Sequence, residues 1–193
     1  MILAERLRAA LGRVPLLPPL EGDFPELRAQ ADVPAAVLIA ITDRAEPGVI
    51  LTIRRENMRT HAGQVAFPGG RVDPGEQATE AALREAHEEI LLNPADVTIV
   101  GTIEPYRTVT GYVVTPVVGV VPPDLSLTVH EEEVAAWFEA PLAFVLEPKN
   151  QEQRTALFQG KLRHYYEISW NGRRIWGATA AMIVNLSRRM QWS

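Results

Sequence analysis

Hydrophobic positions along the chain fall into two kinds of rhythm. Leu3, Leu7 and Leu11 recur as one helical stripe between charged residues, which predicts an amphipathic N-terminal helix. Pro15, Pro18 and Pro19 then impose an extended connector, and the polar stretch from Glu21 to Asp32 reads as a wrapping arm. Two Val- and Ile-rich runs, Ala35 to Thr42 and Val49 to Ile53, flank a charged segment containing Pro and Gly and predict a strand hairpin. The stretch from Arg54 to Pro74 keeps no period and predicts a long loop with one short strand at Val65 to Phe67.

From Thr79 to Leu91 the period becomes helical, with Thr79 as the expected N-cap. Strands are expected at Val97 to Thr102 and Tyr112 to Val121, a short helix at Val134 to Phe138, and another short element at Pro141 to Leu146. Tyr165 to Trp170 and Arg173 to Trp176 flank Asn171 and Gly172, a strong hairpin signal. A closing helix, Thr179 to Met190, ends on Arg188 and Arg189, where cations suit the helix dipole. Strands outnumber helices, so an α/β architecture with a sheet sandwiched between helices is the economical expectation. A chain of 193 residues suits one domain, 35–193, with 1–34 an arm of the same unit.

Composition narrows the classes of function. With 47% hydrophobic and 22% charged residues, the chain resembles an ordinary globular protein. A net charge of -5 gives no field that would draw it to nucleic acid or anionic lipid. No apolar run approaches the roughly 18 residues that a bilayer demands, and cysteine is absent, so no thiolate chemistry is available. A cytoplasmic location, a small-molecule substrate and no nucleic-acid or membrane partner are the expectations, with a homodimer as the expected assembly.

On the Thr79 helix, Leu83, Ala86 and Ile90 share one face while Glu85, Glu88 and Glu89 gather on the other. Like charges at that spacing cost a few tenths of a kcal/mol per pair. The stripe is therefore either a merely solvated face or a site for a divalent cation, for which oxygen ligands suit Mg²⁺ or Mn²⁺. Phe67, Pro68, Gly69 and Gly70 form a turn next to it, where glycine lets backbone approach an ion or phosphate. Arg84 stands one turn before Glu88 and can orient a carboxylate.

Taken together, Gly70, Glu76, Arg84, Glu85, Glu88 and Glu89, with Ala86 and Leu92 at aliphatic places, resemble the Nudix signature G-x5-E-x7-R-E-U-x-E-E-x-G-U. Leu91 stands where that signature has glycine. Upstream, Leu51, Thr52, Arg54, Arg59, Gly63, Phe67, Pro68, Gly69 and Gly70 resemble the motif of the coenzyme A pyrophosphatase subfamily, with Arg55 where a small residue is expected.

The resemblance implies a Nudix-type α/β/α sandwich with a mixed β-sheet and Mg²⁺- or Mn²⁺-dependent cleavage of a diphosphate linkage. The implied substrate is coenzyme A or an acyl derivative; alternatives are ADP-ribose, NADH, a dinucleoside polyphosphate, or a silent nucleotide-binding module. Carried over residue by residue, Glu85, Glu89, Glu88 and the Gly70 carbonyl are the metal ligands. Arg84 orients carboxylates, Glu76 braces the loop, and Arg54, Arg59, Gly63, Phe67 and Gly69 bind substrate. The general base lies on the helix or on a distant loop, where Glu131, Glu132 and Glu133 cluster and Glu132 is the candidate; negative charge favoured at a helix N-terminus is the better account of at least two of the three. His61 and His87 are candidate proton carriers, Arg55 and Lys161 further phosphate contacts, and Tyr106, Tyr112 and Trp176 candidate stacking partners for adenine.

Overall fold

The computed structural model describes residues 2–23, 32–55, 63–158 and 160–190. Its elements are α1 (Leu3–Leu11), β1 (Val33–Thr42), β2 (Gly48–Arg54), β3 (Val65–Ala66), β4 (Gly69–Arg71) and α2 (Ala78–Ile90), followed by β5 (Thr98–Thr102), β6 (Tyr106–Arg107) and β7 (Tyr112–Val121). The remainder comprises β8 (Val134–Pro141), α3 (Leu142–Leu146), β9 (Glu152–Phe158), β10 (Lys161–Trp170), β11 (Arg173–Trp176) and α4 (Gly177–Met190).

The mixed sheet is organised around β1. It runs parallel to β7 over its whole length, from the Val33/Tyr112 pair to the Thr42/Val121 pair. On its other side it is antiparallel to β4 near its start and to β2 near its end. β2 in turn pairs with β8 and β3, and β7 with β5 and β6.

Side chains on β1 alternate between two buried environments, as period-two geometry requires. Ala36, Leu38 and Ala40 face Ala81, Ala82, Ala86 and Ile90 of α2. Ala35, Ile39 and Ile41 face the opposite layer, which includes Leu7 of α1, Leu142 of α3 and Ile183 of α4. With helices on both faces, the architecture is the expected α/β/α sandwich.

Three sequence expectations are corrected. Val134 to Phe138 is strand, not helix: pairing with β2 buries Val134, Phe138 and Ala140, and those ladder bonds outweigh a local helical preference. β9, unforeseen because its apolar and polar residues do not alternate and its described side chains are exposed, pairs with β10 in a second, three-stranded antiparallel sheet. The helix of the motif is capped by Gln77 rather than Thr79, in a reciprocal capping box with Glu80. The Asn171/Gly172 hairpin forms as expected, with positive φ at both residues (47° and 72°), the geometry of a type I′ turn.

Candidate active site

The site is built where α2 lies against β4. Alanine at positions 81, 82 and 86 brings the helix axis close to the sheet, since no long side chain stands between them. That approach sets the acidic face of α2 against the backbone of Gly69 and Gly70. A Cβ on Gly70 would lie 2.3 Å from Glu85 Oε1, and one on Gly69 would lie 2.3 Å from the Ala36 carbonyl oxygen. Glycine is needed at both places because something else already occupies the volume of a methyl group.

Arg84 organises the rim. Its guanidinium donates to Glu76 through Nε (2.9 Å), to Glu85 (2.9 Å) and Glu88 (3.2 Å), and to the Arg71 carbonyl (3.0 Å). Glu76 also accepts from the Asp73 amide at 2.9 Å, so it fastens the loop after β4 to the helix. The hydrogen bond from Arg84 is the main reason the Glu76 carboxyl titrates below its ordinary range. Arg84 is correspondingly held more firmly in its charged form, chiefly by Glu76.

Glu89 is different in kind. Only 2% of its surface is exposed, and its carboxylate has a long contact with the Gly69 amide (3.4 Å) and with Arg54 Nη1 (3.8 Å). Burial pushes its pKa up to about 8, with Arg54 opposing the shift only in part. Burial also raises Glu85, against the pull of Arg84. Close by, Arg54 Nε is buried without a hydrogen-bond partner among the described residues.

Among the described residues, no three carboxylate or imidazole side chains are already gathered as a metal site. Arg84 takes up Glu85 and Glu88, while Glu89 leans toward Gly69 and Arg54. The donor set nevertheless fits a hard divalent cation: every donor is oxygen, Glu85 touches the Gly70 backbone, and the buried Glu89 charge is poorly compensated.

The segment from Thr128 to Glu133 closes one side. The amides of Thr128 and His130 donate to the carbonyls of Ile90 (3.2 Å) and Glu89 (2.8 Å), satisfying two of the free carbonyls at the end of α2. Of the three acids expected on this loop, the charge of Glu133 adds to the upward shift of Glu85 and Glu89, a minor influence beside burial. The register of a distant turn against a helix has no signature in sequence, so nothing there separates Glu133 from Glu132.

A model of the NUDIX domain matches residues 32–159, about two-thirds of the chain. The chain belongs to the Nudix family. Among curated relatives, the uncharacterized Nudix hydrolase NudL of Escherichia coli strain K12 is 46% identical over 155 residues, covering 79% of this chain and 80% of the relative. The NudL of Enterobacter sp. strain 638 has the same identity and coverage. Among solved structures, the Nudix hydrolase RenU from M. smegmatis matches with a TM-score of 0.51 at 23% identity, covering 58% of this chain and 73% of RenU, a likeness of fold.

The chain is thus a Nudix hydrolase, and enzymes of this family generally use divalent metal ions. Arg84, Glu85, Glu88, Glu89, Glu76 and Gly70 of the Nudix signature lie together in space, and Arg54 and Gly69 join them. Phe67 is buried in the core and Gly63 takes a positive φ of 68° at the end of the loop after β2. Arg59 and His61 lie outside the described residues, as does the side chain of Lys161. Tyr106 is buried and donates to Asp23 at 2.6 Å, a tie between the arm and β6. The Tyr112 hydroxyl accepts from Arg71 at 2.8 Å, and Trp176 packs edge-on against Tyr165 at 5.9 Å.

Leu91, which replaces the Nudix glycine, adopts the left-handed conformation itself, with φ 51° and ψ 31°. Its amide donates to the His87 carbonyl at 2.9 Å, and the Leu92 amide to Ala86 at 3.4 Å. The helix exit keeps the glycine geometry under strain. Asn93 caps the short 3₁₀ turn that follows, accepting from the Ala95 amide at 3.0 Å.

Proposed function

We propose that this Nudix hydrolase cleaves the diphosphate bond of coenzyme A or an acyl derivative, giving 3',5'-ADP and 4'-phosphopantetheine. Nudix membership already confines its substrates to nucleoside diphosphate derivatives. The observation that supports the finer reading is Arg54. It belongs to the coenzyme A motif, reaches the innermost carboxylate, and keeps a buried Nε without a partner. A phosphate oxygen is the acceptor that such a guanidinium fits best.

Glu85, Glu88, Glu89 and the Gly70 carbonyl would hold the divalent cation, Mg²⁺ or Mn²⁺. When bound, that cation supplies neutralisation of the diphosphate and a water of lowered pKa. Arg84 sets the carboxylates and Glu76 anchors Arg84. Arg54, with Arg59, grips phosphate oxygens and resists rotation of the diphosphate. Hydrolysis adds water across one P–O bond of the bridge; the proton from water passes to a carboxylate, and the leaving phosphate departs as an oxyanion. The acids of the turn docked on the end of α2, Glu132 and Glu133, are the proposed acceptors of that proton.

Purified protein incubated with Mg²⁺ or Mn²⁺ and, in parallel, coenzyme A, ADP-ribose, NADH and a diadenosine polyphosphate ranks the substrates by product analysis. Coenzyme A is expected to be split to the two named products. Brisk cleavage of another compound with coenzyme A untouched overturns the substrate, and normal turnover by Glu89→Gln overturns the metal site.

A further inference from the structure

Arg54 and Arg55 are neighbours that do different things. Consecutive residues leaving a strand point to opposite sides, and here Arg54 extends toward Glu89 while Arg55 Nη1 donates to the carbonyl of Glu131. The Arg55 amide donates to the Glu133 carbonyl at 3.2 Å. β2 and β8 slip in register between Ile53 and Arg54, and Arg54 then sits opposite Val134, directly after the acidic turn. A motif resemblance that calls for a small residue at this position does not explain an arginine.

The Thr128–Glu133 segment is held from two sides. Its first half hangs on the terminal carbonyls of α2, at Ile90 and Glu89. Its second half carries three consecutive exposed acids and leads directly into β8 at Val134. Arg55 ties this half to the end of β2, through its side chain at the Glu131 carbonyl and its amide at the Glu133 carbonyl.

We propose that Arg55 is a positioning residue: by donating to the Glu131 carbonyl it fixes the Thr128–Glu133 segment, and with it Glu133, against the carboxylate face of α2. The consequence for turnover rests on the hydrolytic reading above, whereas the restraint itself does not. Arg55 acts through Glu133 and has no contact with substrate in this role.

The test compares Arg55→Ala and Arg55→Lys with the parent protein in two measurements. In the metal-free protein, hydrogen exchange at the amides of Glu133 and Val134 is expected to quicken roughly tenfold in Arg55→Ala, and to return toward the parent value in Arg55→Lys, which can still donate to the carbonyl. With Mg²⁺ and coenzyme A, kcat for Arg55→Ala is expected to fall roughly tenfold while KM stays within about twofold, as for loss of alignment rather than of binding. Unchanged exchange overturns the proposal, and so does a raised KM with kcat retained, which marks Arg55 as a substrate contact. If the parent protein leaves every nucleoside diphosphate derivative intact, the hydrolytic reading fails, and the exchange measurement still decides the restraint.

Discussion

Replacing Gly70 with alanine separates the chemistry of the site from the stability of the fold. The new methyl carbon would sit 2.3 to 2.6 Å from the three carboxylate atoms of Glu85, and ordinary contact begins near 3.4 Å, so the carboxylate must withdraw by about 1 Å. Glu85 is the far end of a flexible side chain, so the fold yields at low cost, below about 1 kcal/mol. The proposed cation site does not yield so easily, because Glu85 would leave both Arg84 and the Gly70 backbone. Misplacement by 1 Å at a reacting centre is worth about a hundredfold in rate.

Gly69→Ala is the control. Its methyl would strike backbone, 2.3 Å from the Ala36 carbonyl oxygen and 2.7 Å from Val37 Cα, in a strand pair that cannot rotate aside. That substitution is expected to destabilise by about 1–3 kcal/mol. Thermal melting, Mg²⁺ titration and steady-state hydrolysis on both variants form the assay. A Gly70→Ala protein that melts like the parent but turns over about a hundredfold slower is the expected result; near-normal turnover would refute the placement of Glu85 beside Gly70.

Three further outcomes follow from the same geometry. Leu91→Gly relieves a left-handed conformation that costs a non-glycine residue about 1–2 kcal/mol and gives back about 0.5–1 kcal/mol in chain entropy; chemical denaturation should show a net gain of up to about 1.5 kcal/mol, and a loss would contradict the strain. Glu89 binds its proton more tightly folded than unfolded, its pKa being about 8 against an ordinary 4.5. Its contribution to stability is therefore full below 4.5 and lost as pH rises toward 8. Melting curves of the metal-free protein should record that decline, and Glu89→Gln should flatten it. At the proposed metal site Mg²⁺ takes the place of that proton, so its stabilising effect should grow as pH rises toward 8 and be weakened in Glu89→Gln.

The motif helix was the most legible part of the chain, because three carboxylates spaced along it and a glycine turn before it leave few arrangements open. The Asn171/Gly172 hairpin was legible for a similar reason: both residues accept positive φ, and the turn type follows. Local pattern failed where tertiary pairing decides. Val134 to Phe138 has a helix-compatible sequence, yet β2 offers it an unfilled edge. β9 exposes nearly every described side chain, so no alternation betrays it. Glu133 and Glu132 are indistinguishable in sequence, and only the docking of their turn on the end of α2 separates them. Leu91 breaks the glycine rule without breaking the turn.

Because β1 is buried on both faces, adjacent residues in it belong to different neighbourhoods. Leu38 bears on the layer that carries the acidic helix, and Ile39 on the layer of α1, α3 and α4. Systematic mutation along this strand should thus produce a striped map, in which turnover and thermal tolerance take turns, position by position, as the more sensitive property.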